Sequence, residues 1–236
     1  MTESPLRIAI IGDGLMGRSI EAEARELGWS VSRVLGRATM RDEPDAVTEA
    51  LSDCDVALEF STPESALENI RRCLTADCPV VVGTTGWHDD LPAVAAIVDE
   101  RGGALLWAAN FSVGVALLSQ LVKRAGALVA ELDDFDVRLL ETHHAGKRDA
   151  PSGTALELAR HTAEGLGRDV PITSVREGEV PGTHELILES AFETITLAHE
   201  ARDRRVFARG ALVAARWLRG RAGIYTMDDV FELGDG

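Results

Sequence analysis

A short β-branched run, residues 6–11 (Leu-Arg-Ile-Ala-Ile-Ile), breaks at Gly12-Asp13-Gly14-Leu15-Met16-Gly17, after which residues 18–27 keep helical spacing up to Gly28. A strand, a glycine turn and a helix in that order are the opening of a βαβ unit, whose second strand returns parallel to the first. A GxGxxG string alone also occurs in ordinary tight turns. Placed after a strand and at the head of a helix, it leaves bare amides and a positive helix end where a dinucleotide pyrophosphate can sit.

The same rhythm continues. Residues 31–35, 56–60, 79–83 and 104–108 read as strands, with Thr62 and Pro63 as N-cap and first-turn proline of a helix through Leu74, and a further helix at 90–101. Near-continuous apolar strands alternating with helices predict a parallel sheet covered on both faces. After a helix at 115–129 the order changes. Residues 135–142 read as a strand, 152–166 as a helix, and 172–176, 183–189 and 194–200 as consecutive strands, which predicts an antiparallel or mixed sheet. Helical spacing returns at 207–218. The expected fold is α/β: a discontinuous Rossmann-type dinucleotide-binding domain (1–112 and 207–236) and a second mixed-sheet α/β domain (113–206).

Charge narrows the partners. Twenty-four Lys and Arg stand against 39 Asp and Glu, a formal charge of -15, so a broad nucleic-acid footprint is excluded and an anionic ligand needs a local basic island. Cys54, Cys73 and Cys78 are spaced neither as a zinc ribbon nor as a CxxC pair and read as reduced residues of a cytoplasmic protein. No run has the length of a membrane span, and the N-terminal residues lack the basic segment of a secretion signal. His88, His161 and His199 lack metal-ligand spacing, and no metal is expected.

An NAD-preferring site usually ends its second strand on a carboxylate that grips the ribose 2′-hydroxyl. Here that strand ends Val34-Leu35-Gly36-Arg37. Arg37 either pairs a 2′-phosphate or is a solvated loop residue; the first reading predicts NADPH preference with some use of NADH.

The basic island lies at Glu141-Thr-His-His-Ala-Gly-Lys-Arg-Asp-Ala-Pro-Ser-Gly-Thr154, where His143, His144 and Lys147 fall within five positions beside Arg148. Ser152 is placed to cap the following helix, leaving the amides of Gly153 and Thr154 for an anion such as a carboxylate. Histidine is the usual proton donor near neutral pH, and a nearby lysine polarises an acceptor or neutralises a carboxylate. A His-His pair at a strand end is often structural. Clustering with Lys147 and a capped helix favours chemistry.

Residues 141–155 closely match the string E-x-H-H-x-x-K-x-D-A-P-S-G-T-A, and the chain resembles the dihydrodipicolinate (4-hydroxy-tetrahydrodipicolinate) reductases of the diaminopimelate route to lysine. The resemblance extends over Gly12 to Gly17, Phe60-Ser-Thr-Pro63, Gly83-Thr-Thr-Gly86, Ala108 to Gly114, Arg176 with Gly182-Thr-His184, Phe207 to Ala211 and Gly223 to Met227. It implies reduction of a dicarboxylate ring by NAD(P)H, with loss of water in the hydroxylated form, and a homotetramer built through the second sheets. It implies His143 as proton donor or acceptor, Lys147 as second catalytic group, and His144, Gly153 and Thr154 as substrate contacts. Gly83, Thr84 and Thr85, with Ala108, Ala109, Asn110 and Phe111, would seat the nicotinamide end.

Two departures stand out. Ala145-Gly146 replaces bulkier polar or basic residues, and the passage from Gly165 to Ile172 is short, which bears on the oligomer interface and on any cover over the substrate. Two other functions compete: a related oxidoreductase on another imine or amino-dicarboxylate, such as an aspartate-dehydrogenase-like enzyme, and a non-catalytic NADPH-binding redox sensor. The complete string from His143 to Thr154 argues against both.

Overall fold

The computed structural model describes residues 4–231 except residue 43. The chain forms two compact units, one made of the described part of residues 1–111 with Phe207–Val230, the other of Ser112–Val206 with Phe231.

The first unit is a six-stranded parallel sheet. Its strands are β1 (Arg7–Ile11), β2 (Ser30–Leu35), β3 (Val56–Glu59), β4 (Val80–Val82), β5 (Ala104–Trp107) and β10 (Gly223–Tyr225), in the spatial order β10-β5-β4-β3-β1-β2. Its helices are α1 (Leu15–Glu26), α2 (Arg37–Asp42), α3 (Pro44–Ser52), α4 (Pro63–Thr75), α5 (Leu91–Arg101), most of α8 (Arg205–Leu218) and α9 (Met227–Val230). Every residue of β3 and β4 is buried, as in a sheet covered on both faces. Strand order reverses between β1 and β3, the switch point where open α/β sheets bind ligands beyond their strand ends.

Local chemistry explains the departures from the sequence reading. Helix α1 begins at Leu15 rather than residue 18, because Gly14 takes the extended N-cap position and Gly17 is helical. A Cβ on Gly17 would overlap the Gly12 carbonyl, so its hydrogen lets the helix start against the turn. Thr62 stands at the N-cap of α4 without capping it through its side chain; its hydroxyl meets Ser65 Oγ at 3.1 Å, while Pro63 fills the first turn. The acidic stretch from residue 42 to 45 is the junction of α2 and α3, with residue 43 outside the described residues. Strand β10 was not anticipated: three half-buried residues led by glycine carry no period-two signal, and pairing with β5 alone makes them a strand.

In the second unit, β6 (Asp136–His143), β7 (Ile172–Arg176), β8 (Thr183–Glu189) and β9 (Thr194–Glu200) form a mixed sheet in the order β7-β6-β8-β9. The β6/β7 pair is parallel and the other two are antiparallel. Two helices, α6 (Val113–Val129) and α7 (Gly153–Leu166), pack closely because Gly126 lies against the Thr162 carbonyl and Gly165 against that of Lys123, where a Cβ would collide. Leu118, Val122, Leu158 and Leu166 join Val137, Leu139, Leu186 and Leu188 of the sheet in one apolar core. Gly167 closes α7 in the left-handed conformation (φ 75°), and the short passage before β7 follows it. Among the described residues, no helix is long and apolar enough to cross a membrane.

Candidate functional site

In the first unit a cavity of about 380 Å³ opens where β1, β2 and β3 end, lined by Gly12, Asp13, Gly14 and Arg37 together with Leu35, Phe60 and other neighbours. Gly12 has φ +113° and a Cβ there would overlap the Phe60 carbonyl, so glycine alone permits both the turn and this approach. Gly14, at the head of α1, has no side-chain cap, leaving first-turn amides directed outward. This cradle fits a dinucleotide pyrophosphate. Leu15, Met16 and Gly17 form the first turn of α1 and lie outside the cavity lining.

Gly36 is positioned so that a Cβ would lie 2.7 Å from Asp13 Oδ2; the space a side chain would take at the end of β2 holds the Asp13 carboxylate instead. Arg37 opens α2 and is exposed, with Arg41 and Arg72 on the same cavity wall. Arg72 donates to the Met40 carbonyl and, at 3.0 Å, to Glu68. One end of the cavity therefore carries a carboxylate beside guanidinium groups.

Gly83, Thr84 and Thr85 follow β4, and Ala108, Ala109, Asn110 and Phe111 follow β5, so both segments leave the same edge of the sheet. They do not line the cavity but are fastened to its wall. Thr84 Oγ1 accepts from the Ser61 amide at 2.8 Å, the Phe60 and Phe111 rings lie 5.4 Å apart, and Gly83 gives the Phe60 ring its room. Trp87, 2% exposed, donates its indole N–H to the Thr84 carbonyl at 2.9 Å, so it packs and holds this loop. Gly210 of α8 passes against the Phe111 carbonyl where no larger residue fits.

In the second unit, the alternation of β6 puts Val137, Leu139, Glu141 and His143 on the buried face. An apolar stripe thus ends in a carboxylate and an imidazole. Register completes the set. His184 and Ser174 pair with Glu141 from the two flanking strands, and Arg176 pairs with His143. Glu141 is wholly buried; its Oε1 accepts from Arg176 Nη2 at 2.8 Å and from the Ser152 amide at 3.0 Å. Its Oε2 lies 3.1 Å from His143 Nδ1 and 4.0 Å from His184 Nε2, without hydrogen-bond alignment to a partner. The His143 and His184 rings meet edge-on, centroids 5.2 Å apart. His143 Nε2 points towards Gly182, where a Cβ would come within 3.0 Å.

These contacts set the charges. Burial raises the Glu141 carboxyl, but hydrogen bonds from Ser152, Arg176 and Ser174 outweigh it and bring its pKa to about 2. Burial lowers His143 below the usual imidazole value; Glu141 opposes this, and Lys147 and Arg176 add to it. Burial, followed by the neighbouring His143, takes His184 down to about 4. Glu141, His143 and His184 offer ligand atoms within 4.8 Å of one another, the spacing of a divalent-cation site. Arg176 already supplies positive charge to that carboxylate.

Lys147 Nζ pairs with Asp149 at 2.9 Å, and its amide donates to the His144 carbonyl in a turn. Ser152 caps α7 through its Oγ, which accepts from the Ala155 amide at 3.2 Å and lies 3.4 Å from His184 Nε2. Gly153 and Thr154 form the first turn above it. The structure thus brings His143, Glu141, Arg176, His184 and Ser152 together, with Lys147 and His144 on the loop leaving β6. Glu141 and Arg176 were not singled out as site residues from the sequence, whereas His184, in the string Gly182-Thr-His184, was read there only as a neighbour of the site. A charged residue in phase with Val137 and Leu139 was the available signal.

Residues 6–111 match the family model described as "Dihydrodipicolinate reductase, N-terminus" and residues 114–231 the one described as "Dihydrodipicolinate reductase, C-terminus". The chain belongs to the dihydrodipicolinate reductase family. A curated 4-hydroxy-tetrahydrodipicolinate reductase of Christiangramia forsetii is 36% identical over 95% of this family member and 97% of its own length. One from Natronomonas pharaonis is 38% identical, over 95% and 99% respectively. In fold, this dihydrodipicolinate reductase family member is similar to a dipicolinate-bound dihydrodipicolinate reductase from Paenisporosarcina sp. TG-14, with a TM-score of 0.79, 21% identity, and coverage of 97% of this chain and 100% of that one. The match of both family models carries the Rossmann-like sheet and the mixed sheet together.

Proposed function

We infer that this chain is an NAD(P)H-dependent oxidoreductase reducing 4-hydroxy-tetrahydrodipicolinate to tetrahydrodipicolinate, with loss of water, in the diaminopimelate route to lysine. The match of both family models across residues 6–111 and 114–231 carries this reading.

A bound nicotinamide supplies the hydride. The turn from Gly12 to Gly17 receives the pyrophosphate on its amides, and the loops at Gly83 to Thr85 and Ala108 to Phe111 seat the reactive end, steadied by Trp87 and Phe60. Arg37 pairs a 2′-phosphate, which favours NADPH. The Asp13 carboxylate packed on Gly36 accepts from a free 2′-hydroxyl, so NADH is also used.

His143 donates the proton to the ring atom that gains electron density. Its Nδ1 and Glu141 Oε2 are an unsatisfied pair 3.1 Å apart, and each satisfies the other when Nδ1 carries hydrogen. Glu141 therefore acts as the positioning residue that turns Nε2 towards the substrate. Lys147 leaves Asp149 to neutralise a substrate carboxylate, while His144 and the first-turn amides of Gly153 and Thr154 bind the other. The working form is a homotetramer joined through the second unit's sheet, and it acts in the cytoplasm.

The deciding assay supplies the condensation product of pyruvate and aspartate semialdehyde and follows NADPH absorbance. Steady oxidation dependent on purified protein is expected; none at all defeats the assignment.

A further inference from the structure

At the N-terminal ends of β3 and β4, away from the cavity at the C-terminal ends, Cys54 and Cys78 face each other with sulfurs 3.1 Å apart. Strand pairing brings them there. Ala57 lies opposite Val80, and the Ala57 amide donates to the Pro79 carbonyl at 2.8 Å, so the residues just before each strand are neighbours. Paired strands lie about 4.8 Å apart, within the Cα separation of roughly 4.4–6.8 Å that a disulfide spans. The sulfurs stand only about 1 Å beyond bonding distance. Both are free thiols; Cys54 is half-buried and reachable, and Cys78 lies buried behind it. Cys73 is fully buried in the core between the helices and the sheet.

We propose that Cys54 and Cys78 are a redox-modification site that closes to a disulfide by exchange with a low-molecular-weight disulfide such as oxidised glutathione. The Cys54 thiolate attacks one sulfur of the small disulfide, forming a mixed disulfide and releasing one thiolate. Cys78 then attacks the Cys54 sulfur, forming the protein disulfide and expelling the second thiolate. Two protein thiols are oxidised, the small disulfide is reduced to two thiols, and the two cysteine protons pass through solvent to the leaving groups. The order of attack follows from the pair itself. The hydrogen bond from Cys78 lowers the Cys54 thiol below its ordinary value against the raising effect of burial, and the same contact together with burial pushes Cys78 up.

The segment so closed contains β3, α4 and the cavity wall from Phe60 to Arg72. A bond at its base restricts the unfolded chain and raises the unit's resistance to heat while leaving the cavity in place.

The test uses the full chain, reduced, freed of reductant and incubated with oxidised glutathione, then digested without reductant for mass spectrometry. A Cys54–Cys78 linkage with loss of two hydrogens is expected, reversible by dithiothreitol, with a Tm at least about 3 °C above the reduced form. Cys73→Ser keeps both results; Cys54→Ser and Cys78→Ser lose both. Oxidation that stops at a glutathione adduct on Cys54, a linkage through Cys73, or Cys54 and Cys78 both remaining open to alkylation overturns the proposal. The primary readout is on the unmodified sequence, so a variant that fails to fold leaves the test intact.

Discussion

The cavity of the first unit and the Glu141 cluster of the second are built from different materials. The glycine turn of the cavity is made by backbone: glycines that let strand, turn and helix approach one another, and helix amides that need no side chain. The cluster is made by side chains: a wholly buried carboxylate, a guanidinium and two imidazoles held by strand register. Backbone sites bind a group common to many ligands, such as a pyrophosphate. Side-chain clusters in low dielectric set protonation states, which chemistry on one substrate requires. The difference predicts that substitutions in the two regions separate binding from turnover.

The largest effect is expected at the proton-handling residues. His143→Gln and Lys147→Ala each lower kcat by about 100-fold or more, while the Kd for NADPH, read by fluorescence titration, stays within about twofold because neither side chain belongs to the cavity. A large loss of NADPH affinity in either variant breaks the division of labour.

Glu141→Gln comes next. It keeps the shape and removes the charge that holds His143 up, so kcat falls by about tenfold with KM for substrate little changed, and the alkaline limb of the pH profile, where His143 loses the proton it donates, moves to lower pH. An unmoved limb reduces Glu141 to a structural role. Stability follows the same residue. Its folded pKa of about 2 lies below the ordinary 4.5, so its contribution is fully present above 4.5 and is lost as pH falls towards 2. Urea titrations should show Glu141→Gln destabilised at neutral pH on the order of 3 kcal/mol, with the gap closing in acid.

Arg37→Ala tests the cavity side chain assigned to the 2′-phosphate. KM for NADPH rises about tenfold, equivalent to about 1.4 kcal/mol, and KM for NADH is unchanged. Equal changes for both cofactors make Arg37 a general surface charge.

The smallest effect belongs to His184, which faces Glu141 from the neighbouring strand, Ser152 from the head of α7, and His143 edge-on. Its pKa is depressed from 6.5 to about 4, so the unfolded chain binds the proton more readily between those values, and stability declines as pH falls from 6.5 to 4. His184→Gln should flatten that slope by at most one proton's worth in melts at pH 5 and pH 7. An unaltered slope assigns the decline to His143 and His199, whose pKa values are lowered by burial as well.

Much of this protein is local and was legible in order along the chain. The turn from Gly12 to Gly17, the alternation of strand and helix, the Ser152 cap and the basic run from His143 to Arg148 each depend on residues a few positions apart, where backbone sterics and helix-end chemistry act. Tertiary structure alone decided the rest. It placed β10 on β5, set Ser174, Arg176 and His184 around Glu141 from segments more than 30 residues away, packed Asp13 into the space at Gly36, and brought Cys54 to Cys78. Register between distant strands is settled by which faces the whole core buries, and a slip of one residue would turn Glu141 and His143 out to solvent. No local pattern contains that information, because the energy that chooses the register is spread over the entire sheet.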